Sequence, residues 1–210
     1  SGGRIYISGS SSAYSTDGKN ADKFMLEDVM GVRYEDFVER APVYMAPTEK
    51  GQHLFEHFDE KYPAMFREPA VTVKKVSDNA IVLATVTYPY TSEGNYLRYS
   101  SAISNPPSEK TDIPALVYNK FGKGASMYSF APFERSDTVC NFDVFGQIIK
   151  TLADENGGLL FETDESEVLE HVVRHNGEKR RYTISLLNYQ NYKKIIPLHN
   201  VEFSLKLDID

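Results

Sequence analysis

The chain has 210 residues, 41% of them hydrophobic and 25% charged, a globular balance that excludes wholesale disorder, collagen-like repeats and coiled coils. A formal net charge of -7 and a pI near 5.3 oppose capture of nucleic acid or of an anionic membrane surface, both of which demand a basic face. No stretch reaches the roughly 20 apolar residues that span a bilayer, and no basic-then-apolar leader opens the chain, so it reads as a soluble protein. Its one cysteine, Cys140, makes no internal disulfide and leaves the compartment open.

In chain order the first unit predicts strand, loop and helix. Arg4 to Ser8 is apolar and follows Ser1-Gly2-Gly3, which reads as a cut end. The small-residue stretch Gly9 to Asn20 is then a connection, because it lacks the glycine spacing that arrays backbone amides around a phosphate. Phe24, Met25, Val29 and Met30 make one apolar face of a helix over 22–30, closed by Gly31. Residues 49–60 predict a short helix carrying Leu54, Phe55 and Phe58. Val71 to Val73 and Ala80 to Thr87 are β-branched strands joined by Asp78-Asn79. Tyr88 to Asp112, rich in Pro, Ser, Asn and Gly, reads as a long surface excursion.

Ala115 to Asn119 and Ala125 to Phe130 then flank a glycine-relaxed hairpin loop. Ser136 or Asp137 offers an N-cap for a helix whose apolar positions are Phe142, Phe145, Ile148, Ile149 and Leu152. Asn156-Gly157-Gly158 stops it. Beyond that point the period changes from 3.6 to 2. Asn176-Gly177 predicts a two-residue hairpin between 168–175 and 182–187, and residues 201–209 alternate strictly. Lys179-Arg180-Arg181 reads as solvated hairpin charge.

The sharpest chemical pattern is His53-Leu54-Phe55-Glu56-His57. On a helix, two imidazoles one turn apart can ligate zinc while the carboxylate between them acts as base, with Glu134 as an imagined third ligand. The string is short, and exposed histidines flanking the buried Leu54 and Phe58 are the favoured explanation; no stoichiometric zinc is expected to bind the chain. His171 and His175 share a strand face but stand too far apart to chelate, and His199 is a loop residue. Cys140 lacks the glycines of a nucleophile elbow and reads as a small buried hydrophobe. Glu162, Asp164, Glu165 and Glu167 form a solvated acidic run rather than the paired carboxylates of glycoside hydrolysis. No catalytic, cofactor or metal residue is therefore expected. Tyrosine is abundant, with 14 residues. Tyr88, Tyr90, Tyr96 and Tyr99 cluster in the long loop, suited to burial at an interface or to stacking on a sugar.

Asn105-Pro106-Pro107-Ser108 and Pro114-Ala115-Leu116-Val117, running on through Phe121 to Phe130, resemble part of a glycosidase accessory domain. This is the glutamine-amidotransferase-like "β-galactosidase trimerisation" domain that follows the catalytic barrel of β-galactosidases and of α-L-fucosidase-like glycosyl hydrolases. Gly2 to Gly9, Leu26 to Val32 and Tyr182 to Tyr189 resemble further pieces of it and of the β domain behind it. The resemblance implies a flavodoxin-like α/β domain over 1–156 and an antiparallel β domain over 157–210. It implies a non-catalytic accessory or oligomerisation role in a carbohydrate-active enzyme, with no cofactor, and with self-association or docking to a catalytic barrel. A zinc-dependent hydrolase using His53, Glu56 and His57 and a glycan-binding module using 88–112 are the rival expectations.

Overall fold

The computed structural model describes residues 2–14, 23–38, 42–91, 97–101, 104–136, 138–163, 168–190 and 195–207. The chain divides into two compact units, Ser1–Asn156 and Gly157–Asp210. In the first, β1 (Arg4–Ser8), β2 (Ala13–Tyr14), β3 (Lys23–Phe24) and α1 (Glu27–Met30) lead to β4 (Val32–Val38) and β5 (Val43–Pro47). There follow a 3-10 turn at Gln52–Leu54, β6 (Ala64–Phe66), β7 (Ala70–Lys75), β8 (Ala80–Pro89), β9 (Pro107–Phe121), β10 (Gly124–Ser129), a second 3-10 turn at Phe133–Arg135 and α2 (Val139–Asp154).

The expected flavodoxin-like α/β sheet is overturned. The chain is mostly β, with a curled half-barrel sheet and two helices among the described residues. Its main sheet runs β1-β10-β9-β8-β5-β6, and every pairing in it is antiparallel except β1 with β10. A flavodoxin-like sheet needs a crossover helix between successive parallel strands. Here β8, β9 and β10 follow one another as antiparallel neighbours, so no such crossover joins them. Three segments misled the sequence reading. Of the helix expected over 22–30, only Glu27–Met30 is helical among the described residues 23–30; Phe24 belongs to β3, and Met25 is 73% exposed. The helix expected over 49–60 is the single turn Gln52–Leu54, because that segment is strapped to β8. The Thr48 amide and hydroxyl both donate to the Leu83 carbonyl, and a Cβ at Gly51 would lie 1.9 Å from that same oxygen. The excursion over 88–112 is shorter than expected, since 88–89 close β8 and 107–112 open β9, a strand of 15 residues.

The strands hold for reasons the sequence displays. β8 is a β-branched run buried along most of its length, the pattern of a strand covered on both faces. β9 turns into β10 through Gly122, at φ 57°, and Lys123. A second layer is the pair β4–β7, joined to the residue after β10 where the Val71 amide donates to the Phe130 carbonyl. Phe24 packs edge-on against Tyr34 and tilted against Tyr128. α2 buries Asn141, Val144, Ile148 and Leu152; Phe142 is half exposed, and Phe145 meets Tyr6 of β1 edge-on at 5.3 Å. The expected stripe holds at Ile148 and Leu152, while in the first turns Asn141 and Val144 are buried in place of Phe142 and Phe145.

The second unit holds β11 (Phe161–Glu162) paired with β14 (Ser204–Leu205), and the hairpin β12 (Leu169–Asn176) with β13 (Arg181–Asn188). Its turn has four residues rather than two. Asn176 pairs with Arg181, the Asn176 side chain accepts from the Lys179 amide, and Arg180 takes φ 48°. Lys179, Arg180 and Arg181 are exposed there. Of the alternation expected over 201–209, two residues pair as β14, and Asp208 and Ile209 lie outside the described residues.

Candidate functional site

The His53–His57 string does not assemble its expected centre. Without a helix, His53, Glu56 and His57 are exposed in and after the 3-10 turn. Glu134 is committed elsewhere: Tyr6 donates to one of its oxygens at 2.9 Å and Ser8 to the other at 2.5 Å. Burial, reinforced by the Glu134 charge, holds the Tyr6 phenol far above its ordinary range. His57 instead meets a residue the sequence reading overlooked, with its Nε2 3.3 Å from Oδ2 of Asp143. Cys140 is half-buried one helical turn from Asp143, and the ligating atoms of all three lie within 4.8 Å of one another. The three-residue spacing of Cys140 and Asp143 on α2 was the legible signal; their meeting with His57 depends on tertiary packing.

A cleft of about 530 Å³ opens beside β5, β8 and β9, lined by Thr48, Glu49, Thr85, Thr87, Lys110 and Asp112 among others. Lys110 pairs with Glu60 across it at 2.6 Å, both side chains being largely exposed, so the pair contributes less than about 1 kcal/mol. No aromatic residue is among its lining residues, so it lacks the stacking surface a sugar ring favours.

The remaining expected residues scatter. His171 stacks on Phe161 with ring centroids 4.1 Å apart, and His175 on its cross-strand partner Tyr182 at 4.4 Å. His199 is exposed in a loop. In the tyrosine-rich loop Tyr88 is half-buried, Tyr99 is 89% exposed, and Tyr90 carries the Arg98 guanidinium 5.3 Å over its ring. Tyr96, like Asp164, Glu165 and Glu167 of the acidic run, lies outside the described residues; Glu162 sits at the exposed end of β11. The described part of the small-residue loop closes a turn, with Ser11 donating to the Ser8 carbonyl and Ser12 accepting from the Leu26 amide.

Comparison with solved structures finds glycoside hydrolases. Over 99% of its length the chain is similar to part of α-L-fucosidase isoenzyme 2 from Paenibacillus thiaminolyticus, with TM-score 0.73, 18% identity and 30% of that chain covered. The β-galactosidase from Rahnella sp. R3 matches 90% of this chain and 24% of its own, with TM-score 0.58 and 20% identity. That from Bacillus circulans sp. alkalophilus matches 84% and 22%, with TM-score 0.53 and 19% identity. At these identities the likeness is one of fold, and the chain spans less than a third of each neighbour. No protein-family model matches the chain, and no match is found among curated protein sequences.

Proposed function

We propose that this chain is a non-catalytic accessory portion of a glycoside hydrolase, contributing contacts between subunits or to a catalytic domain. The observation that carries this is asymmetric coverage: nearly all of this chain is similar to less than a third of a fucosidase. The hairpin β12–β13 suggests where such contacts form. Its register places Leu169, His171, Val173 and His175 on one face with Tyr182, Ile184 and Leu186. None of these side chains is fully buried, and Leu186 is 41% exposed. Phe161 covers this face at His171; the proposed cover for the rest of it is another part of the same enzyme assembly.

Assays of the 210-residue chain with aryl α-L-fucoside and aryl β-D-galactoside test the non-catalytic part. Release of the aryl group should not exceed the buffer blank. Turnover that disappears in Glu49→Gln or Asp112→Asn would place catalysis in the cleft and overturn the reading.

A further inference from the structure

Independently of the accessory role, we infer that His57, Cys140 and Asp143 form a binding site for zinc or a chemically similar transition-metal ion. The ligand set is thiolate, imidazole and carboxylate, a combination that favours zinc or cobalt over the oxygen-seeking magnesium and calcium. With metal–nitrogen and metal–oxygen bonds near 2.0 Å, the nitrogen–oxygen edge of a tetrahedral zinc site is about 3.3 Å long. His57 Nε2 and Asp143 Oδ2 are already 3.3 Å apart. The Cys140 sulfur lies within 4.8 Å of both, so side-chain rotations that close it by about 1 Å complete three corners, leaving the fourth for water.

Both supporting segments are fixed from beneath. The loop bearing His57 is braced by Gln52, whose amide nitrogen donates to the carbonyls of Phe55 at 3.1 Å and Phe58 at 2.8 Å, and by Phe55, fully buried against Phe133. The first turn of α2 is pinned by Asn141, which is fully buried between Cys140 and Phe142 and donates to the Met65 carbonyl and the Ser136 hydroxyl, each at 2.9 Å. The two segments therefore present their ligands with little backbone freedom left to lose on binding. His57 and Asp143 are about half exposed, so an ion reaches the site directly. On binding, the Cys140 thiol releases one proton to solvent, and the charges of thiolate and carboxylate balance those of a divalent ion.

Titration of the metal-free 210-residue chain with cobalt(II), read by thiolate-to-cobalt charge-transfer absorbance, tests the site. The absorbance should saturate at one equivalent, be displaced by zinc and resist excess magnesium. Cys140→Ser should abolish it. His57→Ala and Asp143→Asn should each weaken binding by at least about tenfold while leaving the far-ultraviolet circular dichroism unchanged, since both side chains are at the surface. Failure to saturate at one equivalent, or saturation that His57→Ala and Asp143→Asn leave unaltered, overturns the inference; the latter shows a lone thiol binding metal unaided.

Discussion

Both units are built on β-strands, but they bury them very differently. In residues 1–156 the strands β5, β8, β9 and β10 are lined with buried side chains, and Phe55, Phe66, Phe130 and Phe133 close a continuous core with no exposure at all. In residues 157–210 Phe161 is the one buried side chain among those described, and it keeps 7% exposure, while Leu187, Tyr189, Ile195 and Ile196 are each more than half exposed. Alternating hydrophobicity makes a strand possible, but stability comes from a second layer to cover it. The first unit supplies that layer from its own sequence. The second, taken by itself, does not.

Truncating buried side chains in the first unit should carry the largest cost in stability. Phe66 is fully buried and meets Phe130 and Phe133 edge-on at 5.9 and 4.9 Å. Phe66→Ala should cost about 3–5 kcal/mol in urea unfolding followed by circular dichroism. Gly51→Ala should cost about 1–3 kcal/mol or more, because the added methyl meets the Leu83 carbonyl. A loss below about 0.5 kcal/mol for either would contradict the described core. The matching truncation in the second unit, Leu187→Ala, should change stability by no more than about 0.5 kcal/mol.

The first unit also carries a contact whose contribution depends on pH. Tyr118 of β9 donates to both Glu155 oxygens, at 2.7 and 2.8 Å. Burial first, then that hydrogen bond and the Glu155 charge, pushes its phenol from 10.0 up to about 12. The folded state therefore favours the neutral phenol. The resulting stability is fully present below about pH 10 and is lost as pH rises towards about 12. Stability should fall less steeply over that window in Tyr118→Phe than in the wild-type chain; identical slopes would contradict the assignment.

Local signals were legible in the sequence where the chain settles its own structure. The β9–β10 hairpin at Gly122, α2, and the β-branched strands β7 and β8 were all readable from short windows. β4 and β5 were not, since Val32–Val38 carries charges at Arg33, Glu35 and Asp36, and Val43–Pro47 is a five-residue run ending in proline. The architecture was misread because the sequence shows which segments are strands but not which neighbour each one pairs with. The candidate metal ligands show the same limit: His57 was noticed beside His53 and Glu56, its neighbours in sequence, whereas its partners in space lie more than 80 residues away and are brought to it by α2.

Light scattering of the 210-residue chain across a concentration series tests the accessory reading most directly. The incompletely covered apolar face of β12–β13 predicts a mass that rises above the 23.8 kDa of one chain as concentration increases. Ile184→Thr with Leu186→Thr, which keeps strand-favouring residues while removing apolar surface, should return the mass to that of one chain. A wild-type chain that stays monomeric at every concentration would contradict the account.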